Sequence, residues 1–376
     1  MSGLSGKPLW ARGEKLGLPS LENDIEADVC VVGLGASGLV CVNELASLGA
    51  RVVGVDAGEV GGGAAGRNGG FLLAGVARFY HDAVSAYGHT RARCMYRLSL
   101  DEIERIAADE AGTVSLVGSL RIAESDEELE DCRQHLLALR ADEFPVEHYD
   151  DEFGRGLLLP SDGAFDPLER CRSLARMAID AGACLFERSR VTTIRIGRVD
   201  TVTGVARARH VIVAVDGALD LLLPQLAGDV RTARLQMLAT APTTEIVQSR
   251  PIYARWGYDY WQQRPDGAIA LGGARDIGGE SEWTHDTSTS DVVQSALEHR
   301  LRVKLRVMAP ITHRWGASVS YTADELPIVR EVDAGVWAIG GYSGTGNVIG
   351  SLLGRGVARL IMRSDDTLLR PFGRSS

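Results

Sequence analysis

Lysine is almost missing from this chain: among 376 residues it occurs only at Lys7, Lys15 and Lys304, and arginine supplies nearly all the positive charge. A Schiff-base lysine would have to be one of these three, so pyridoxal-phosphate chemistry is not expected. Cysteine is sparse as well. Cys30, Cys41, Cys94, Cys132, Cys171 and Cys184 include no C-x-x-C pair, which argues against a disulfide framework and a zinc site. His81, His285 and His313 stand alone without ligand spacing and read as structural histidines, so no metal is expected. No apolar run reaches the roughly 20 residues that span a bilayer. The opening stretch MSGLSGKPLWARGEKLG lacks the apolar segment of a secretory signal, which makes the cytoplasm the expected address, with no membrane span. Positive charge is in deficit overall. A net charge of −10 argues against a nucleic-acid partner and is compatible with a cationic substrate, although acidity also serves solubility.

Glycine, by contrast, is abundant and clustered. The stretch DVCVVGLGASGLVCVNELASLGARVVGVDAG opens on a continuous apolar run, residues 29–32, as a strand buried on both faces should. Gly33, Gly35 and Gly38 follow at once. The first glycine allows a tight turn, the second lets backbone approach a pyrophosphate, and the third lets a helix lie close to the sheet. Residues 39–48 read as that helix, whose N-terminal amides favour phosphate. A second strand, residues 51–55, ends in Asp56, placed to accept hydrogen bonds from a ribose. This order of elements indicates a dinucleotide and does not by itself separate NAD from FAD.

Beyond Asp56 the chain enters GEVGGGAAGRNGGFLL, whose seven glycines surround Arg67 and Asn68; such backbone suits a large flat ligand. Helical patterns cover residues 92–111 and 126–141, with two short strands joined at Gly118 between them. A helix with Pro167 near its start leads to further strands, and HVIVAVDG, residues 210–217, reads as another buried strand. From residue 235 to 313 the pattern turns to alternating, aromatic-rich strands interrupted by one helix over 290–307. The last element, residues 336–362, is a strand, glycine-spaced turns and a long helix whose first turn is expected to be GTGN, able to aim N–H groups at an anionic ring or oxygen.

The ordered set G-x-G-x-S-G, RNGG, the DP-led helix with Glu187 and Val191, the VIVA and LGG strands, the W-G…D-x-x-P segment and GYSGTG resembles the D-amino-acid oxidase superfamily of flavoproteins, in particular its gamma-glutamylputrescine oxidase-like branch. The likeness runs from about residue 10 to 362. It implies an α/β fold in which a Rossmann-like FAD-binding domain (26–78, 160–234 and 322–365) is interleaved with a mixed, largely antiparallel-sheet substrate domain (79–159 and 235–321), with an N-terminal arm (1–25) and a tail (366–376). It implies that Gly33, Gly35, Ala36, Ser37 and Gly38 meet the FAD pyrophosphate, and that Asp56 with Ala57 meets the adenosine ribose. Val191 would meet adenine. Arg67, Asn68, Gly69 and Gly70 would lie along the isoalloxazine, and Gly341, Gly344, Thr345, Gly346 and Asn347 at its pyrimidine edge.

Three departures from the family pattern bear on chemistry. Ser318 stands where glycine-oxidase-like members carry an arginine that clamps a substrate carboxylate, and serine cannot form a bidentate charged pair. Either the substrate lacks an α-carboxylate or another arginine, such as Arg255 or Arg275, takes over. Sarcosine-oxidase-like members carry a lysine that helps reduce oxygen; here the equivalent position is Ala270. They also tether FAD through a cysteine, whereas no cysteine follows Cys184, so FAD is expected to be non-covalent.

The expected reaction is oxidation of a primary or secondary amine, a polyamine derivative among the candidates, with oxygen or another acceptor taking the electrons. An oxidase is favoured over a dehydrogenase. The alternatives are a D- or L-amino-acid oxidase or dehydrogenase, and a non-catalytic FAD-binding protein. Candidate substrate contacts are Tyr253, Arg255, Tyr258 and Tyr260 from the aromatic strands, Arg275 from the strand after them, and Tyr342 before the last helix. Alternating aromatics also serve sheet packing, and Arg275 beside Asp276 also reads as a surface ion pair.

Overall fold

The computed structural model describes residues 4–110 and 112–373. It divides into two compact units. One comprises Gly13–Gly66, Pro167–Thr232 and Val319–Ser376, the other Met1–Arg12, Arg67–Asp166 and Ala233–Ser318.

The first unit is built on parallel strands. Cys184–Phe186, Val52–Val55, Asp24–Val32, Val205–Val213 and Val336–Gly340 lie side by side in that order and run the same way. The central apolar run is buried on both faces: Val29, Cys30 and Val31 are 0% exposed. The strand begins earlier than this run, at Asp24, because the polar residues ahead of it pair with Val205–Ala208. On the side of Val205–Val213 away from Asp24–Val32, its start pairs with the antiparallel strands Arg198–Thr201 and Val191–Arg195, and its end with Val336–Gly340, which Ile328–Asp333 borders. Three helices, Ala36–Ser47, Pro167–Asp180 and Ile349–Arg363, pack together. The first and last come so close that a Cβ on Gly354 would sit 2.3 Å from the Ser37 carbonyl oxygen. Leu39 was the expected start of the first helix; it starts at Ala36, so the third fingerprint glycine is already helical.

The second unit is built on a nine-stranded mixed sheet. Its order is Leu4–Ser5, Ile311–Tyr321, Arg231–Thr240, Ile269–Gly273, Asp259–Gln263, Ile252–Ala254, Ser119–Ala123, Gly154–Leu159 and Glu147–Asp151. Register assigns each face. Ile252, Trp261, Leu271 and Leu238 are mutual partners and pack with Val293 and Leu297 of the helix Asp291–His299. The opposite face, by the same pairing, carries Arg121, Tyr253, Tyr260, Gly272 and Met237, and beside them Gln262, Ala270 and Ala239, since directly opposed residues project to one side. Helices Tyr80–Tyr87, His89–Asp109 and Asp126–Ala141 belong to this unit and bury Tyr80, Tyr96, Leu136 and Phe144 in a cluster.

Some expectations are corrected. The helix expected over 290–307 is regular only for Asp291–His299 and continues as a wider turn, Arg300–Lys304. Arg275 is not on a strand; Ala274 turns left-handed (φ +55°) and Arg275–Gly278 is a short helical turn. Residues 67–78, expected in the nucleotide-binding domain, belong to the mixed-sheet unit, and 13–25, expected as an arm, to the parallel-sheet unit. Among the described residues no helix is long and apolar enough to cross a membrane.

Candidate functional site

In the parallel-sheet unit the chain leaves Asp24–Val32 through a helix to Val52–Val55 on one side, while Val205–Val213 lies on the other. Open α/β sheets bind ligands outside the carboxyl ends of the strands at such a reversal of order. The glycine turn sits there. Gly33 has φ +102°, and a Cβ on it would lie 2.5 Å from the Ala214 carbonyl oxygen; a Cβ on Gly38 would lie 2.0 Å from that of Gly33. Both glycines are therefore demanded by the fold itself. Gly35 is less confined, its nearest neighbour being Ala65 at 3.2 Å. Among the described residues, the N–H groups of Gly35, Ala36, Ser37 and Gly38 have no acceptor, and no side chain caps the helix. Four converging amides at a helix start form a cradle for an anion.

Asp56 follows the neighbouring strand and clasps this turn. Its carboxylate accepts from Leu34 N (2.8 Å) and Gly58 N (2.8 Å), which leaves lone pairs for hydroxyl donors. Burial pushes its pKa up, and the two backbone bonds oppose that shift. Ala57 is exposed beside it, and Val191 opens the strand Val191–Arg195. Glu187 is buried and accepts from Val60 N at 2.9 Å.

The glycine-rich turn after Val336–Gly340 is held by a residue that sequence reading missed. Asp216 accepts from Gly341 N (2.8 Å), Tyr342 N (3.3 Å) and Ser320 N (3.2 Å), and burial raises its pKa to about 6. Its only signal was its place directly after an apolar strand. The last helix begins at Ile349, so residues 344–347 form a separate turn ahead of it rather than its first turn. There Thr345 N donates to Tyr342 O (3.0 Å), while the N–H groups of Gly344 and Gly346 have no acceptor among the described residues. Arg170, fully buried, reaches the Asn347 carbonyl at 3.3 Å and Ser351 Oγ at 3.1 Å. Tyr342 is 4% exposed, with its ring against Gly346 and Gly350. Among the described residues its buried hydroxyl has no hydrogen-bond partner within bonding geometry, although Ser37 lies nearby, and burial raises its pKa. Its neighbourhood in sequence to the GTG turn suggested a site residue; its burial against the glycines of that turn and of the last helix was not visible in sequence.

In the mixed-sheet unit, residues 67–70 are pinned from several sides. Trp315 Nε1 donates to Arg67 O (2.8 Å), Trp10 Nε1 to Asn68 O (2.8 Å), and Gln262 Nε2 to the carbonyls of Gly69 and Gly70. Asn68 Oδ1 accepts from Gly70 N at 2.8 Å. The Arg67 guanidinium is spent on the Gly316 and Gly6 carbonyls, at 2.9 and 2.8 Å. Trp315 was singled out only within the W-G motif, and the support that it, Trp10 and Gln262 give this loop was not legible because they lie far along the chain from it.

The remaining substrate candidates separate into three groups. Tyr253 and Tyr260 stack at 6.2 Å on the sheet face that carries Gln262; the Tyr260 ring crosses Gly272 and approaches Gly69, where a Cβ would meet it at 3.2 Å. Tyr258 lies under Arg275, whose guanidinium is also 4.8 Å from the Trp283 ring. Arg255 is committed to Asp259 (2.9 Å) and Asp276. The ion pair with Asp276 therefore belongs to Arg255. Ser318 is partly exposed and Ala270 fully buried.

A family model described as FAD dependent oxidoreductase (DAO) matches residues 28–360. The chain belongs to this family. Gamma-glutamylputrescine oxidoreductase of Escherichia coli is 28% identical over 368 residues, spanning 91% of this chain and 85% of the relative. A probable oxidoreductase OrdL of Haemophilus influenzae is 24% identical over 390 residues, spanning 95% and 88%. The crystal structure of glycine oxidase from Geobacillus kaustophilus has the same fold, with a TM-score of 0.77 at 22% identity, covering 93% of this chain and 99% of that one. The cofactor of the DAO family is FAD, and the residues here fit it. The amide cradle at Gly35 to Gly38 suits a pyrophosphate, Asp56 retains acceptor capacity for ribose hydroxyls, and both glycines of the turn admit no side chain.

Proposed function

We propose that this FAD-dependent oxidoreductase oxidises a primary or secondary amine, with polyamine derivatives the first class to test. Bound FAD would supply a two-electron acceptor for the carbon bearing the amine, so that the amine, losing a hydride and a proton, becomes an imine that water hydrolyses. The chain's own task is to hold the cofactor and to align the reacting carbon. Gly33 to Gly38 and Asp56 would bind the pyrophosphate and ribose, and Val191 the adenine. Following the family resemblance, residues 67–70 would lie along the ring and the turn at 341–347 at its pyrimidine edge, where the N–H groups of Gly344 and Gly346 would stabilise charge. The turn's amides at Gly344 and Gly346 lack acceptors among the described residues, and Asp216 fixes their approach. Attachment of FAD is non-covalent in this reading, as no cysteine follows Cys184.

The observation that carries the amine reading is the absence of an arginine clamp where an α-carboxylate would be expected: Ser318 is uncharged, and Arg255 is already paired with two carboxylates. The name of the Escherichia coli relative points the same way. Oxygen is the proposed acceptor. The test is anaerobic mixing of the yellow holoenzyme with diamines, N-acylated diamines, secondary amines and α-amino acids, followed by air. Amines should bleach the flavin and α-amino acids should not. Bleaching by α-amino acids alone would overturn the reading.

A further inference from the structure

Arg121 occupies the sheet face that carries Tyr253 and Tyr260. It is the direct partner of Tyr253 across the parallel strands Ser119–Ala123 and Ile252–Ala254. Its guanidinium lies 4.4 Å over the Phe79 ring and 5.6 Å over that of Tyr253. Its Nε is buried without a hydrogen-bond partner, and the side chain forms no ion pair among the described residues. The two rings attract the charge, but they satisfy none of its five N–H donors. The acid that could have neutralised it, Asp162, is turned to Ser119 Oγ (2.6 Å) and Ala74 N (2.9 Å) instead. The Tyr253 hydroxyl, also without a partner among the described residues, lies against Gly257, where a Cβ would meet it at 2.2 Å. A half-buried guanidinium and a phenol, both with unused donors on one sheet face, are the recognition chemistry of a carboxylate.

We propose that Arg121, with the Tyr253 hydroxyl, binds a carboxylate remote from the oxidised carbon of the substrate. The spacing argues for remoteness. From Gly69 the path runs across the Tyr260 ring, then the Tyr253 ring 6.2 Å further, and only then to Arg121 at 5.6 Å. An α-carboxylate sits one bond from the reacting carbon and could not span two stacked rings. The substrate class is therefore an extended amine that carries an anionic tail. This rests on the amine-oxidising reading above, and it explains how Ser318 can replace a clamp without the site giving up carboxylate recognition.

The test separates the two claims. Straight-chain alkanoates of graded length, which carry no amine, are titrated into FAD-loaded wild-type, Arg121→Met, Arg121→Lys and Tyr253→Phe proteins by calorimetry and by the perturbation of the flavin spectrum, with the matching alkyl amides as neutral controls. Wild type should bind the alkanoates in preference to the amides. Arg121→Met should weaken binding by about ten- to a hundred-fold, the range for losing a charge-assisted hydrogen bond, with Arg121→Lys recovering part of it. Tyr253→Phe should lose a few-fold. If Arg121→Met fails to retain FAD, the lysine and phenylalanine variants still decide. Alkanoate binding that is absent, or equal in all four proteins, overturns the proposal. In parallel, ω-amino carboxylates and alkylamines of the same length are mixed anaerobically with wild type. Arg121-dependent alkanoate binding without any bleaching would leave the carboxylate site standing and refute amine oxidation.

Discussion

At the scale of single residues, the glycine turn is fixed by the protein's own backbone before any ligand is considered. Gly38→Ala would force a methyl to 2.0 Å from the Gly33 carbonyl, so the helix must move off the sheet. Overpacking of this kind costs about 1–3 kcal/mol. Denaturant unfolding of the variant should show at least that loss, together with a lower ratio of flavin to protein. Gly63→Ala is the control, because nothing lies within 4 Å of its added methyl, and it should leave both measurements unchanged. Asp56→Ala acts differently. It strands the N–H group of buried Leu34 and removes the bond to exposed Gly58 N, and a buried donor left unpaired costs about 1–3 kcal/mol. The expected readout is FAD affinity at least ten-fold weaker, measured by quenching of flavin fluorescence; unchanged affinity would remove Asp56 from the site.

At the scale of elements, what could be read in advance was whatever depends on neighbours in sequence. The helix over 126–141 was expected within those limits and is found there, because Ser125 caps it, its hydroxyl accepting from Glu128 N at 3.1 Å, and three acids fill its first turn. The strand, turn and helix from Asp24 to Ser47 were legible for the same reason, apart from the strand's polar start. What escaped depends on residues distant in the chain. Trp315 and Gln262 hold residues 67–70 across separations of 248 and 193 residues, and Asp216 holds the 341–342 amides across 125 and 126. Periodicity contains no trace of such pairings. The burial of Tyr342 and the commitment of Arg255 to Asp259 and Asp276 were hidden in the same way. The loop support is testable: Trp315→Phe removes the donor to Arg67 O while keeping an aromatic ring. Flavin content should stay near that of wild type while the anaerobic reduction rate falls about ten-fold, as expected when a positioning contact is lost. Equal losses in content and rate would assign Trp315 to general stability instead.

At the scale of the whole molecule, two enclosed carboxyl groups shape the response to pH. Burial raises Asp162 and Asp216 from an ordinary value of 3.8 to about 6. Between these values the folded state holds more protons than the unfolded chain, so these groups lower stability as pH rises through about 4 to 6 and leave a constant penalty above that. Asp162→Asn keeps an acceptor for Ala74 N and cannot ionise. Its stability relative to wild type should therefore increase across that window, by on the order of 3 kcal/mol if the full shift is expressed, as followed by urea unfolding at a series of pH values. A flat difference would show that Asp162 titrates normally. In the proposed function the parallel-sheet unit binds FAD through the turn after Asp24–Val32 and this FAD oxidises an amine. The most direct measurement is the visible spectrum of the natively purified protein, taken in the absence of oxygen before and after adding a panel of amines. A yellow protein whose flavin is bleached by at least one amine, and whose FAD is released intact on acid precipitation, is the expected result. A colourless protein that takes up no FAD, or a yellow one that no amine reduces, would contradict it.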